Sequence, residues 1–412
     1  FAARDLPPSV RTGSKKENIA DIIKEPGETS PPSEILERAL EIPAVLSVEG
    51  VASSLKNGDT VVVDGSEGAV IVNPDDNTVA EYSKKRDAFL AERKELENYR
   101  GRETKSASGE VYELFCNIGK PEDAVKAVDA DGEGVGLFRT EFLFMDRTSI
   151  PTEDEQFEAY KKAALILKGK SLIIRTLDIG GDKDIPYLGL EKEENPFMGF
   201  RAIRYCLKNR ELFKSQIKAI LRASAFGDIK IMFPLITTMD ELREGKKLVA
   251  ECKADLRNMG INFNENIQVG VMVETASAAV IADMLAKEAD FFSIGTNDLT
   301  GYTMACDRGN NDVSYLYSPL QPSVLRMIKR TIECGVQNGI SVGMCGEAAA
   351  NKLMIPLLIS FGLTEFSVSA PSVLNVRKII STWTKEEADK VTANVLEMST
   401  QQEIVEYLKS VV

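Results

Sequence analysis

The chain is 412 residues long, with a formal net charge of −13, 43% hydrophobic and 27% charged residues. This length allows two or three domains, or one barrel with a smaller companion, and the composition is that of an ordinary soluble protein. The acidic balance argues against a general nucleic-acid binder, and no apolar run is long enough to span a bilayer. We therefore expect no nucleic-acid partner and no membrane insertion.

The cysteine and histidine contents narrow the possible chemistry. Six cysteines are scattered without paired spacing, which predicts reduced thiols in a cytoplasmic protein and neither disulfides nor a zinc site. The chain contains no histidine, which excludes His-based acid/base or metal chemistry within it. Because the sequence begins in mid-pattern at Phe1, we expect it to be a fragment of a longer protein.

The first region, residues 1–77, has the pattern of a small α/β domain. Apolar residues of Ser33–Leu40 recur at helical spacing. Thr60–Asp64 and Ala69–Val72 resemble strands, and the Gly-containing turn between them predicts a hairpin. The charge-rich stretch that opens residues 78–103 has helical spacing, so it predicts a solvated connecting helix.

From residue 104 onward, short apolar runs alternate with amphipathic helical stretches. Eight runs have the length and composition of buried strands: Glu113–Asn117, Gly134–Phe138, Leu172–Arg175, Ile229–Phe233, Val269–Val273, Phe291–Ile294, Ser341–Met344 and Glu365–Val368. Capping boxes, Thr152 with Glu155 and Thr238 with Glu241, mark the starts of two helices. Eight strand–helix units predict an α/β fold with a (β/α)8 barrel over residues 104–412. An open doubly wound sheet is the alternative, but it requires no count of eight.

Charged and polar side chains follow the predicted strands at their carboxyl ends, where a barrel carries its active site. They include Arg139, Arg175, Lys183, Arg201, Arg204, Glu274, Asn297, Asp298, Arg308 and Cys345. Any one alone fits a surface charge or a buried thiol, so the signal is their coincidence. Arginine forks suit phosphate or carboxylate, isolated carboxylates suit Mg²⁺, and a thiol can give or take a proton. The set predicts phosphoryl transfer with a small, multiply charged phosphorylated substrate.

Several strings closely resemble enzyme I of the bacterial phosphoenolpyruvate-dependent sugar phosphotransferase system. They are Gly134-Val-Gly-Leu-Phe-Arg-Thr-Glu-Phe-Leu, Arg175-Thr-Leu-Asp-Ile-Gly-Gly-Asp-Lys, Asn195-Pro-Phe-Met-Gly-Phe-Arg-Ala-Ile-Arg, Gly295-Thr-Asn-Asp-Leu-Thr, Gly343-Met-Cys-Gly-Glu and Leu40-Glu-Ile-Pro-Ala-Val. The resemblance covers essentially the whole chain. It implies a partial swivelling phosphohistidine domain at 1–77, a linker helix at 78–103, and a phosphoenolpyruvate-binding, dimerising barrel at 104–412.

The resemblance also implies roles for individual residues. The substrate-binding set would be Arg139, Arg175, Asn297, Asp298, Arg308, Lys183 and Arg201. Glu274 and Asp298 would hold Mg²⁺, and Cys345 would protonate the pyruvate enolate at its methylene carbon. The family passes the phosphoryl group to its own histidine and on to the phosphocarrier protein HPr for sugar uptake. The subdomain that docks HPr would precede Phe1, so we expect the chain to be truncated at its N-terminus.

One position departs from the family in a way that bears on activity. The family has Gly-Gly-x-Thr-Ser-His where this chain reads Gly27-Glu-Thr-Ser-Pro-Pro32, so Pro32 stands at the phosphoacceptor histidine. Proline has no nucleophile, which predicts phosphoenolpyruvate binding without transfer by the family's route. The chain is then either a deliberately altered variant or a degenerate member. A dikinase-type phosphoenolpyruvate-using enzyme and a non-catalytic dimerising scaffold are the alternative functions.

Overall fold

The computed structural model describes residues 2–3, 22–24, 44–45, 48, 50–56, 58–65, 67–145, 147–180 and 185–412. The chain divides into two compact units, Phe1–Asn98 and Tyr99–Val412. Pro32, Lys183 and the predicted helix Ser33–Leu40 lie outside the described residues. No described helix is both long and apolar enough to cross a membrane.

The described residues of the first unit form two small sheets and two α-helices. Strands β1 (Ala2–Ala3), β2 (Ile22–Lys24) and β3 (Ala44–Val45) pair in parallel, and β4 (Val61–Asp64) and β5 (Ala69–Val72) form the predicted antiparallel hairpin. The helices are Val51–Ser54 and Asp76–Leu96. The second begins at a cap in which the Asp75 side chain accepts from the Thr78 amide at 2.7 Å. None of the residues of Asp76–Leu96 is buried, as its charge-rich sequence predicts.

The second unit is a closed barrel of eight parallel strands, each bonded to its neighbours in chain order. The strands are β6 (Glu113–Ile118), β7 (Gly134–Arg139), β8 (Ser171–Arg175), β9 (Ile229–Phe233), β10 (Val269–Val273), β11 (Phe291–Ile294), β12 (Ser341–Met344) and β13 (Glu365–Val368). β13 pairs with β6 and closes the ring. The predicted (β/α)8 barrel is therefore confirmed, and the open-sheet alternative is wrong.

Helices surround the barrel and close the chain. They are Asp123–Asp129, Glu153–Leu167, Ala202–Lys208, Arg210–Ala223, Met239–Asn258, Ala276–Val280, Ala282–Leu285, Thr296–Met304, Pro322–Gln337, Ile355–Phe361, Val373–Thr382, Lys385–Glu397 and Gln401–Val411. Both predicted capping boxes are present, the first starting Glu153–Leu167 and the second Met239–Asn258. Each satisfies backbone amides that a helix start leaves without intrahelical partners.

An apolar layer fills the inside of the barrel below its carboxyl end. It is formed by Leu137, Ile173, Met232, Met272, Phe291 and Cys345, which come from or directly follow six successive strands. This layer is separate from the larger core in which the outward-facing strand residues pack against the helices. Because alternate residues of a strand share a face, the residues that follow this layer project into the mouth of the barrel.

Strand β7 carries a register shift next to the mouth. Cys116 and Asn117 of β6 pair with Val135 and Leu137, and Leu172 and Ile174 of β8 pair with Val135 and Phe138, so β7 has one extra residue in this stretch. Gly136 lies within it, and a Cβ there would come within 2.4 Å of the buried Glu365 carboxylate. Such irregularities change the direction of the residues that follow them, which here include Arg139.

Candidate active site

The predicted functional residues gather at the carboxyl end of the barrel. Arg139 and Arg175 are the last residues of β7 and β8 and pair in register. Glu274 directly follows β10, and Cys345 directly follows β12. Asp298 lies in the first turn of the helix Thr296–Met304, which follows β11 after a single glycine. The ends of five strands, β7, β8, β10, β11 and β12, thus place functional side chains at the same mouth of the barrel, as the topology requires.

Arg175 is held by two buried carboxylates. Its Nη2 pairs with Glu141 Oε1, and its Nη1 lies 3.0 Å from Asp178 Oδ2. Burial lowers the pKa of Arg175, but Glu141, Asp178 and Glu274 outweigh it, so the pKa is raised overall. The Nε atom is buried and makes no hydrogen bond to any described residue. Arg175 is therefore fixed in orientation and keeps one donor available.

Asp178 joins Arg175 to a second arginine. Its Oδ1 accepts from Arg201 Nε at 3.1 Å and from Arg201 Nη2 at 2.6 Å. The same Nη2 lies 3.4 Å from Asp298 Oδ2. No role for Asp178 was predicted from the sequence, although it stands three residues after Arg175 in the string Arg175-Thr-Leu-Asp-Ile. A carboxylate shortly after a predicted strand end was the signal available for it.

Arg139 differs from its neighbour because it has no carboxylate partner among the described residues. It makes no hydrogen bond or ion pair with any residue that the structure describes, although it is only partly exposed. Burial, and then the positive charge of Arg175, lowers its pKa. A guanidinium remains charged under such conditions. Two adjacent guanidiniums, one of them without an ion pair to any described residue, are suited to attract an anion.

Three carboxylates form a cluster that could hold a metal ion. Oxygens of Asp178, Glu274 and Asp298 all lie within 4.8 Å of one another. Glu274 is 2% exposed, and its Oε1 has no hydrogen-bond partner among the described residues. Burial, followed by the charges of Asp298 and Asp178, raises the pKa of Glu274 well above its usual range. Crowded carboxylate oxygens, of which Glu274 Oε1 lacks a partner among the described residues, favour a divalent cation.

The donor set fits Mg²⁺ at Glu274 and Asp298. Both oxygens of Asp178 already face arginines, so this residue has less capacity left for a metal. Gly295 permits the arrangement, because a Cβ at that position would lie 2.8 Å from Glu274 Oε2. Two carboxylate ligands, with water and substrate oxygens as the others, match the usual protein environment of Mg²⁺.

Cys345 lies at the floor of the mouth, with only 3% of its surface exposed. Its Sγ lies 3.8 Å from the Ile294 carbonyl oxygen, and its amide donates to the same oxygen at 3.2 Å. Burial raises the pKa of the thiol to about 11, while Ser293, Arg175 and Arg139 oppose the rise. The thiol is therefore protonated at neutral pH and can act as a proton donor.

The remaining predicted residues lie at the rim or elsewhere. Arg308 is exposed beside the Tyr317 hydroxyl, which donates to the Asn297 carbonyl oxygen at 2.9 Å. Arg308 makes no ion pair within the described part of the chain. Arg204 donates to the Met198 and Gly199 carbonyl oxygens at 2.9 and 3.0 Å, so it stabilises a turn.

Two tyrosines that the sequence analysis did not consider adjoin the site. Tyr317 supports the backbone of Asn297. The hydroxyl of Tyr302 accepts from Arg201 Nη1 at 3.4 Å and donates to the Phe197 carbonyl oxygen. Burial raises the pKa of both phenols to about 12, so each hydroxyl keeps its proton and acts as a donor.

Comparison with known families gives two matches along the chain. The family described as PEP-utilising enzyme, PEP-binding domain, matches residues 93–384. The family described as PEP-utilising enzyme, mobile domain, matches residues 2–68. The first match includes every strand of the barrel and all the described residues of the mouth.

Individual relatives are similar over nearly the full chain. A phosphoenolpyruvate-protein phosphotransferase of Bacillus subtilis (strain 168) is 48% identical over 409 residues, which cover 99% of this chain and 72% of the relative. The protein of the same name from Staphylococcus carnosus (strain TM300) is 46% identical, covering 98% and 71%. A third, from Geobacillus stearothermophilus, is 47% identical, covering 99% and 70%.

Proposed function

This chain belongs to the PEP-utilising enzymes, and within them to the phosphoenolpyruvate-protein phosphotransferases of the enzyme I type, and from this membership we propose how its barrel acts. The mouth of the barrel binds phosphoenolpyruvate together with Mg²⁺. The acidic and basic groups described above then serve phosphoryl transfer, in which positioning and charge neutralisation do most of the catalysis.

Arg139 and Arg175 bind the phosphate and carboxylate groups of the substrate. The observation that carries this proposal is that, among the described residues, neither the Arg139 guanidinium nor the buried Nε of the adjacent Arg175 has a partner. Both donors gain charge-assisted hydrogen bonds when an anion enters. Arg201, Asn297, the backbone beside Asp298, Arg308 and Lys183 complete the binding set, in line with the family resemblance.

Glu274 and Asp298 hold the metal ion. When bound, Mg²⁺ would neutralise negative charge on the substrate oxygens and bridge them to the protein. Asp178 has a different role, because its oxygens face Arg175 and Arg201. It keeps both guanidiniums directed at the mouth.

Cys345 supplies the proton that completes the reaction. Loss of the phosphoryl group leaves the enolate of pyruvate, whose methylene carbon takes the proton from Sγ. The S–H bond breaks, a C–H bond forms, and the sulfur keeps the electron pair as a thiolate. Arg175 and Arg139 lower the pKa of the thiol, so the same charges stabilise this thiolate.

The acceptor half of the family reaction requires a histidine that this chain lacks. Pro32 stands at that position, and the sequence contains no imidazole at all. We therefore propose that the chain binds phosphoenolpyruvate but does not phosphorylate itself by the family's route. The family resemblance supports HPr as the next acceptor, sugar uptake as the process, a homodimer formed through the barrel, and a cytoplasmic location.

Calorimetric titration of phosphoenolpyruvate, with and without Mg²⁺, tests the proposed site. We expect binding that depends on Mg²⁺ and that Asp298→Ala abolishes. Asp283→Ala, which removes an exposed carboxylate in a surface pair with Arg330, is the matched control and should bind normally. Absence of binding by the unaltered chain under both conditions would favour the alternative of a non-catalytic scaffold.

A further inference from the structure

Two polar side chains from different strands contact Cys345, and neither has a role in the function proposed above. Asn117, on β6, contacts the backbone of Cys345. Ser293, on β11, lies beside its thiol. A proton donor must be held within a fraction of an ångström of its target carbon, so the groups that hold it affect the rate.

Asn117 fixes the backbone that carries Cys345. Its Nδ2 donates to the Cys345 carbonyl oxygen at 2.9 Å and to the Ser367 carbonyl oxygen at 3.3 Å. Its Oδ1 accepts from Ser367 Oγ at 2.7 Å, so both ends of the amide are in use. These hydrogen bonds connect the ends of β6, β12 and β13 next to Cys345.

Ser293 is placed to act on the sulfur itself. It lies two residues after Phe291, which belongs to the interior apolar layer, so its side chain also faces the inside of the barrel. In the register of β11 and β12 it pairs with Gly343, two residues before Cys345. The hydroxyl is buried and has no hydrogen-bond partner among the described residues. It is thus an uncommitted donor next to the thiol.

We propose that Asn117 and Ser293 are positioning residues for proton transfer by Cys345. Asn117 holds the thiol at a fixed height in the mouth, and the Ser293 hydroxyl donates a hydrogen bond to the thiolate left after the proton departs. The charged groups that face this thiol are Arg139, Arg175 and Glu274. This inference rests on the proposed role of Cys345 as the proton donor.

The inference can be tested without a phosphoacceptor by measuring the exchange of the methyl protons of pyruvate in D₂O. Proton NMR monitors this exchange in the presence of Mg²⁺. The Cys345 thiolate takes a methyl proton, which leaves the enolate, and the thiol exchanges with solvent and returns a deuteron. We expect exchange by the unaltered chain and only the solvent background with Cys345→Ala. Calorimetric titration of phosphoenolpyruvate shows in parallel whether each variant still has an assembled site.

Ser293→Ala should lower the exchange rate about tenfold at pH 8, which is the effect of losing one hydrogen bond to a charged group. Its rate–pH profile should move upward by about one pH unit, since fewer thiols ionise at a given pH. Ser293→Thr keeps the hydroxyl and should restore the profile. Asn117→Ala should lower the rate about tenfold without moving the profile, because it changes position and not thiol ionisation.

Three results would overturn the inference. Unchanged exchange in both Ser293→Ala and Asn117→Ala would remove any role in proton transfer. Loss of phosphoenolpyruvate binding in these variants would make the residues supports of the whole site. Exchange at background in the unaltered chain, with phosphoenolpyruvate still bound, would refute the role of Cys345 and this inference with it, while leaving the proposed binding site intact.

Discussion

Arg139 and Arg175 pair in register at the ends of neighbouring strands, yet only Arg175 has carboxylate partners among the described residues. The pair is therefore electrostatically incomplete without a ligand. A buried or half-buried charge that lacks a partner is costly, and an anion supplies what is missing. This asymmetry gives a prediction about affinity and stability together.

Arg139→Ala should weaken phosphoenolpyruvate binding by about 10- to 100-fold, as expected when one charge-assisted contact is lost. The ligand-free protein should keep its melting temperature or gain slightly, because repulsion from Arg175 disappears. Calorimetric titration and thermal unfolding measure the two effects. Arg204→Ala, which removes a turn-stabilising arginine outside the mouth, is the control and should lower stability without changing affinity.

The raised pKa of Glu274 predicts that Mg²⁺ binding displaces a proton. Burial and the nearby Asp298 and Asp178 favour the neutral carboxyl group, whereas the metal requires the carboxylate. Mg²⁺ affinity should therefore increase as pH rises, until Glu274 is ionised in the free protein. Calorimetric titrations of Mg²⁺ in buffers of different ionisation enthalpy measure the protons released.

Glu274→Gln provides the control for this linkage. The amide cannot ionise, so Mg²⁺ should bind weakly and the released proton should vanish. Glu347→Gln changes another carboxylate at the barrel mouth, in the turn after Cys345, and should leave the proton release unchanged. Equal proton release in Glu274→Gln and the unaltered chain would contradict the assignment of Glu274 as the titrating ligand.

The order of the strands and most of the mouth could be predicted from the sequence, because both depend on local signals. Runs such as Val269–Val273 are apolar at every position, and a closed parallel barrel buries its strands on both faces. Once the strands are known, the topology brings residues such as Arg139, Glu274 and Cys345 to one end. Neither step requires knowledge of side-chain contacts.

What could not be predicted depends on contacts between distant parts of the chain. The ion pairs of Asp178 with both Arg175 and Arg201 require a strand end and the start of a later helix to lie close together. The contacts of Asn117 require the ends of β6, β12 and β13, which are distant in the sequence, to lie close together. Arg308 matches its motif but is exposed, because it lies on a turn beyond the helix Thr296–Met304. Motifs specify residue types, whereas pairing depends on the folded geometry.

Glu365 gives a prediction about stability that is independent of the active site. This residue of β13 is buried inside the barrel, and its Oε1 has no partner among the described residues. Burial, and then the charge of Glu113, raises its pKa from 4.5 to about 8. The folded state therefore keeps the proton between these two pH values, while the unfolded state releases it. Stability due to this group is present below about pH 4.5 and is lost as pH rises through about 8.

The free energy of unfolding of Glu365→Gln should consequently fall less between pH 5 and pH 9 than that of the unaltered chain. The expected difference is a few kcal/mol, since one pKa unit corresponds to about 1.4 kcal/mol. Denaturant unfolding at the two pH values measures it. Glu113→Gln, which removes the exposed neighbouring carboxylate, should give a smaller change of the same sign. Parallel pH dependence in all three proteins would show that Glu365 does not titrate in this range.

Replacement of Pro32 tests whether the acceptor is the only part of the relay that is missing. The unaltered chain, incubated with labelled phosphoenolpyruvate and Mg²⁺, should incorporate no acid-labile phosphoryl group, because it contains no histidine. Pro32→His supplies an imidazole at the family's acceptor position and should gain acid-labile, alkali-stable label. Gln321→His introduces one histidine elsewhere in the chain and should gain none.

Label in Pro32→His that disappears when Asp298→Ala is added would tie the transfer to the barrel mouth. Absence of label in a Pro32→His protein that still binds phosphoenolpyruvate would mean that further changes, such as Glu28 in place of the family's glycine, also block the approach of the phosphoryl group.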